Sequence, residues 1–129
     1  MKTAKEMVYA ANEVVEHMPG AEAIGLIGAE DVTFIDLRDK RELDREGRIP
    51  GAFHCPRGML EFWLDPTSPY AKDVFQKGGR FMFFCAAGWR SALAAQTAQE
   101  MGLEGVMHID DGFAGWRDAG GAVERPETA

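Results

Sequence analysis

Cysteine is scarce: the 129 residues hold two, Cys55 and Cys85. A disulfide scaffold is thereby excluded, and in a reducing compartment two such residues are read as free thiols. Neither belongs to a C-x-x-C pair and no His/Cys cluster has zinc spacing, so no metal is expected. Positive charge is also short. The 14 Lys and Arg face 21 Asp and Glu, a formal net charge of -7, which argues against non-specific nucleic-acid binding and against an anionic membrane surface. No apolar run approaches the roughly 18 residues of a membrane-spanning helix. Met1 to Ala11 lacks an apolar core followed by a small-residue cleavage site, so the expected location is cytoplasmic. There is no internal repeat and no low-complexity tract.

What is present is an ordinary globular composition, 46% hydrophobic and 27% charged, at a length that suits one α/β domain. Met7, Ala11, Val14 and Met18 recur at helical spacing and predict a helix over Ala4 to Met18, stopped by Pro19-Gly20. A short helix follows over Ala21 to Ile27. Val32 to Leu37 reads as a buried strand and Asp39 to Glu46 as a polar helix. Ile49-Pro50-Gly51 is a turn, Ala52 to Cys55 a short strand, and Met59 to Leu64 a helical turn. Arg80 to Phe84 is the strongest strand and Ser91 to Met101 the strongest helix, with Ser91 as its cap and Gly102 as its stop. Gly105 to Ile109 closes the strands, and Phe113 to Ala119 the helices. Apolar strands alternating with helices imply a parallel sheet covered on both faces. Right-handed crossovers then gather the strand-to-helix turns along one edge, where ligands bind.

The chemistry-bearing stretch is Cys85-Ala86-Ala87-Gly88-Trp89-Arg90-Ser91. A cysteine stands where a buried strand ends, and a helix begins a few residues later. Ala86, Ala87 and Gly88 are small enough for backbone to approach a ligand. Such a loop can turn several N–H groups toward one point, and the helix aims the positive end of its dipole there. This favours the thiolate of Cys85 and binds an anionic group beside it, which suits nucleophilic attack on a sulfur donor. A buried, inert core thiol is the alternative.

Four segments together resemble the rhodanese family. They are Phe34-Ile35-Asp36-Leu37-Arg38 with Glu42, Gly47-Arg48-Ile49-Pro50-Gly51-Ala52, Cys85 to Ser91, and Gly112-Phe113-Ala114-Gly115-Trp116. The resemblance implies a three-layer fold with about five parallel strands over residues 20–123, preceded by a helical extension (1–19) and followed by a tail (124–129). It implies a sulfurtransferase that carries sulfur as a persulfide on Cys85, without a cofactor. The backbone amides of residues 86 to 91 would hold the persulfide, and Arg90 would close the loop. Its partners would be a small-molecule or protein sulfur donor and a thiol or cyanide-type acceptor, with the chain a monomer or homodimer. Ala86 stands where many thiosulfate-active members carry a basic residue, which favours a persulfide over thiosulfate as donor. Related phosphatases and arsenate reductases space Cys and Arg by five residues. Here four intervene, a tighter nest suited to a sulfur atom. A non-catalytic binding or regulatory module is the other alternative. Asp111-Gly112 replaces the family's paired glycines, a change expected to affect only a turn.

Other residues carry lesser expectations. Trp89 either walls the pocket or covers the sheet edge. Phe62 and Trp63 belong to core before entrance. Arg57 is a solvated arginine, Asp36 and Arg38 brace loops, and Arg48 fixes the turn before Pro50. Cys55 is either a resolving thiol for Cys85 or, preferably, an inert core thiol. His17, His54 and His108 supply no obvious general base, and persulfide chemistry does not require one. The N-terminal helix either packs on the domain or joins two subunits.

Overall fold

A computed structural model describes residues 1–126; of the expected tail, residues 127–129 lie outside the described residues. Five strands, β1 (Glu16–Met18), β2 (Val32–Asp36), β3 (Phe53–His54), β4 (Arg80–Phe84) and β5 (Val106–Ile109), form one sheet in the order β1-β5-β4-β2-β3. Every pairing is parallel. Six α-helices surround it: α1 (Ala4–Val14), α2 (Gly20–Ala23), α3 (Lys40–Glu46), α4 (Leu60–Leu64), α5 (Trp89–Glu100) and α6 (Gly112–Asp118).

The central strand β4 explains the layering. Side chains alternate across a strand, so Phe81, Phe83 and then Cys85 enter one apolar cluster with Leu60 of α4 and Ala94, Ala95 and Ala98 of α5. Met82 and Phe84 point the other way, into a cluster with Ala23 of α2 and Phe113 and Trp116 of α6. Both faces are covered, giving three layers. The cover is what lets four consecutive residues of β4, Phe81 to Phe84, be buried.

Two expectations fail at the N-terminus. The first helix ends at Val14, and Glu16–Met18 is an edge strand in register with Met107, His108 and Ile109. The β-branched pair Val14-Val15 favours the extended backbone found at Val15, and pairing with β5 supplies the hydrogen bonds the helix would have given. The apolar stripe keeps Ala11 but is otherwise shifted by one. Val8, Ala11 and Val15 are buried, whereas Met7 and Val14 are 44% and 56% exposed. Helix α1 packs on α5 through Val8, Ala11 and Ala92. Boundaries elsewhere move by a residue or two. The second helix becomes α2 followed by a 3-10 turn, Ile24–Leu26, and an unforeseen 3-10 turn spans Asp73–Gln76. Asp39 is the cap of α3, with Glu42 returning the bond to its backbone.

Candidate active site

Cys85 is the first residue past β4, at the edge of the sheet where the strands' C-terminal ends gather. Its carbonyl accepts from the Phe113 N–H at 2.7 Å, and the Ala86 carbonyl accepts from Ala114 N–H at 3.2 Å. Helix α6 therefore pins the start of the loop. Gly88 then reverses the chain with φ +104°, and any Cβ there would run into the Asp110 carbonyl. A Cβ on Gly112, at φ +65°, would likewise collide with the Ala86 carbonyl. Both positions require glycine for conformation and for space.

The turn brings the Gly88 N–H to 3.2 Å and the Ser91 N–H to 3.4 Å from Cys85 Sγ. The sulfur lies beneath its loop, since Cys85 is 1% exposed, yet these amides face it. Of the six expected donors, Gly88 and Ser91 reach Sγ. The N–H groups of Ala86, Ala87, Trp89 and Arg90 have no acceptor among the described residues. Ser91 does not cap α5, which begins two residues earlier with left-handed Gly88 in the cap position. Buried in the first turn, its hydroxyl lies 3.6 Å from Cys85 Sγ and 2.9 Å from His108 Nδ1.

His108 is the group missed in the sequence. It is fully buried, and its Nε2 lies 2.6 Å from Asn12 Oδ1 of α1. Burial pushes its pKa down to about 4, aided by the neighbouring His17 and opposed by Asp110. A signal was present: a histidine inside the otherwise apolar run Val106-Met107-His108-Ile109. Its register partner on β4 is Phe83, which shares a face with Cys85. That pairing became visible only once the strand order was known. His17 pairs with Asp110 at 2.8 Å, and His54 Nε2 contacts the Arg38 carbonyl at 2.6 Å.

The arginines are mostly engaged. Arg90 forms two 2.9 Å hydrogen bonds to Glu42, so it closes the loop against α3 while its charge is largely met there. That bond, chiefly, holds the Glu42 carboxyl down to about 2. Arg38 and Asp36, both 1% exposed, form a buried pair, and Arg38 also donates to the Gly47 carbonyl, bracing loops as expected. Arg57 is not free but pairs with Glu61 at 3.0 Å. Arg48 does not hold the Pro50 turn. It joins Glu124 through its side chain at 2.8 Å and a two-way backbone bridge. Asp111 does more than alter a turn: its Oδ1 accepts from the Gly20 N–H at 2.7 Å, tying α2 to the loop after β5.

Cys55 is completely buried, and burial pushes its thiol up to about 12. Strand β2 lies between β3 and β4, so the two cysteine backbones stand roughly two strand spacings, about 10 Å, apart. A disulfide needs about 7 Å or less, which favours the inert core role. Trp63 packs edge-on against Phe53, whereas Phe62 and Trp89 are 52% and 53% exposed. Among the described residues no cluster of three His, Cys, Asp or Glu side chains could hold a metal ion, and no helix is long and apolar enough to cross a membrane.

The family model described as "Rhodanese-like domain" matches residues 20–119. Mouse thiosulfate sulfurtransferase/rhodanese-like domain-containing protein 3 is 30% identical over 96 residues, 70% of this chain and 61% of that protein. Thiosulfate sulfurtransferase GlpE of Pseudoalteromonas translucida is 28% identical over 104 residues, 81% of this chain and 90% of that protein. The chain spans 61% of the mouse protein and 29% to 33% of the tRNA uridine(34) hydroxylases that it also matches. A solved structure from Rhodopseudomonas palustris, described as a protein of unknown function and possible tyrosine phosphatase, is 56% identical with TM-score 0.93, covering 96% of each chain. The polysulfide-sulfur transferase homodimer of Wolinella succinogenes is 28% identical with TM-score 0.71, covering 95% of this chain and 87% of that one.

Proposed function

The chain belongs to the rhodanese-like domain family, and from that membership we propose that it is a sulfurtransferase carrying sulfane sulfur as a persulfide on Cys85. One observation carries the reading: the N–H groups of Gly88 and Ser91 converge on Cys85 Sγ at the tip of the central strand. Hydrogen-bond donors aimed at a sulfur favour its anionic form, the nucleophile. The thiolate attacks the terminal sulfur of a donor. An Sγ–S bond forms, the donor's bond to that sulfur breaks, and its electron pair leaves with the donor remnant. An acceptor thiolate or cyanide then attacks the outer sulfur, and Cys85 departs as thiolate. Sulfur moves with no net change in electron count across donor and acceptor. The uncharged Ala86 supports a persulfide or polysulfide as donor over thiosulfate.

Phosphoryl transfer is the second reading, favoured by the description of the Rhodopseudomonas structure. The loop argues against it. Four residues separate Cys85 from Arg90, and the Arg90 guanidinium is bonded to Glu42 instead of lying free for a tetrahedral oxyanion. Mass spectrometry separates the readings. With a persulfide donor the chain should gain about 32 Da, one sulfur, at Cys85, and Cys85→Ser should gain nothing. An unmodified wild type after several donors, with Cys85-dependent hydrolysis of an aryl phosphate, would reverse the assignment.

A further inference from the structure

Resting on that reading, we propose that Asn12, His108 and Ser91 form a proton relay that takes the Cys85 proton before attack and returns it after the persulfide is discharged. The chain of contacts is continuous. Cys85 Sγ lies 3.6 Å from Ser91 Oγ, Oγ lies 2.9 Å from His108 Nδ1, and Nε2 lies 2.6 Å from Asn12 Oδ1. Ser91 and His108 are both completely buried, so the path from sulfur to imidazole is shielded from solvent, while Asn12 at its far end is half-buried.

Polarity follows from the far end. With Asn12 presenting its carbonyl oxygen, His108 Nε2 carries hydrogen and donates to it. Neutral His108 then accepts at Nδ1 from the Ser91 hydroxyl at 2.9 Å, a shorter contact than the hydroxyl's 3.3 Å alternative to the Gly88 carbonyl, and the Ser91 oxygen accepts from the Cys85 thiol. The proton on Sγ passes to Ser91 Oγ as the Ser91 proton passes to Nδ1. Cys85 becomes thiolate and His108 imidazolium, with no change in total charge. Every heavy atom keeps its place, and both imidazolium N–H groups keep acceptors, Ser91 Oγ and Asn12 Oδ1.

Attack on an anionic persulfide donor leaves an anionic persulfide on Cys85, still balanced by the imidazolium. Discharge regenerates the thiolate, and the proton returns from His108 through Ser91. The charged or titratable neighbours of the ring are His17 of β1, with ring centroids 5.8 Å apart, and Asp110 just past β5, which itself pairs with His17. His17 opposes a charge on His108 and Asp110 favours it, while burial opposes it more strongly than either. His108 is therefore neutral at rest, and its imidazolium forms only during turnover. Ser91 touches the reacting atom, whereas His108 and Asn12 are positioning residues acting through it.

The test is the rate of Cys85 sulfur loading from a small-molecule persulfide, followed by mass spectrometry across pH. Ser91→Ala should slow loading by about tenfold or more near pH 6, a modest general-base effect. The gap should close at about pH 10, where hydroxide takes the thiol proton directly. Asn12→Asp places a carboxylate on Nε2–H, favours the imidazolium, and should raise the rate near pH 6 severalfold. Damage to structure alone produces no such gain, so this variant decides the matter if Ser91→Ala folds poorly. A Ser91→Ala deficit equal at both pH values, or no acceleration in Asn12→Asp, would overturn the relay while leaving sulfur transfer intact. A wild type that never loads sulfur would remove sulfur transfer itself, and the relay with it.

Discussion

At the scale of single residues, the loop is legible in the sequence because its logic is local. A cysteine after an apolar strand, then two alanines and a glycine, specifies a tight turn without reference to the rest of the chain. The groups that complete the site are not local. His108 is 17 positions from Ser91, and Asn12 is 96 from His108, so neither could be joined to Cys85 before the strands were ordered. Glu42 belongs to the same class, 48 positions from Arg90. Its carboxyl is held down to about 2 by Arg90, against an ordinary 4.5. It stays ionised in the folded chain where the unfolded chain has already taken up a proton. Its contribution to stability is complete above about 4.5 and is lost as pH falls through about 2. The Arg90 side chain is 42% exposed, so solvent screening keeps that contribution small. Glu42→Gln should cost about 1 kcal/mol at neutral pH, read from urea midpoints, and the deficit should shrink between pH 4.5 and 2. A deficit that persists at the acid end would mean the pair is not its source.

At the scale of elements, β4, α5 and α6 are recognisable to within two residues because each is long or strongly apolar. β1 is not. It has three residues, two of them exposed, too few for an alternation to register, and its partner strand lies some 90 positions away. The stripe on α1 is misread for a related reason. Periodicity sets Met7 and Val14 beside Ala11 on the buried face, yet Val8 and Val15 take those places, because what selects the face is the shape of α5. Ala11 and Ala92 are both completely buried within one small cluster, and side chains of this size let the helices approach. Ala11→Leu should therefore destabilise by about 1–3 kcal/mol through overpacking, whereas Met7→Ala, on the exposed side, should stay within about 0.5 kcal/mol of wild type. Chemical denaturation of the two variants checks the assignment. A larger loss for Met7→Ala would restore the stripe expected from periodicity.

For the molecule as a whole, the two apolar clusters divide the work. The cluster beneath α4 and α5 contains Cys85 itself, so its packing bears directly on the sulfur. The opposite cluster holds Trp116, completely buried and donating from Nε1 to the Ala122 carbonyl at 2.8 Å. It bears on the site through Phe84, the residue before Cys85, and through the backbone of α6, whose Phe113 and Ala114 N–H groups hold the Cys85 and Ala86 carbonyls. Stability and chemistry are therefore separable on that face. Trp116→Phe removes the indole hydrogen bond and part of the packed volume, and should lower unfolding free energy by about 1–3 kcal/mol. The N–H groups of Phe113 and Ala114 are untouched, so the sulfur-loading rate per folded molecule should match wild type well below the unfolding transition. Loading that falls in step with stability, in solutions where the variant is still fully folded, would mean that the Trp116 side chain itself sets the loop geometry.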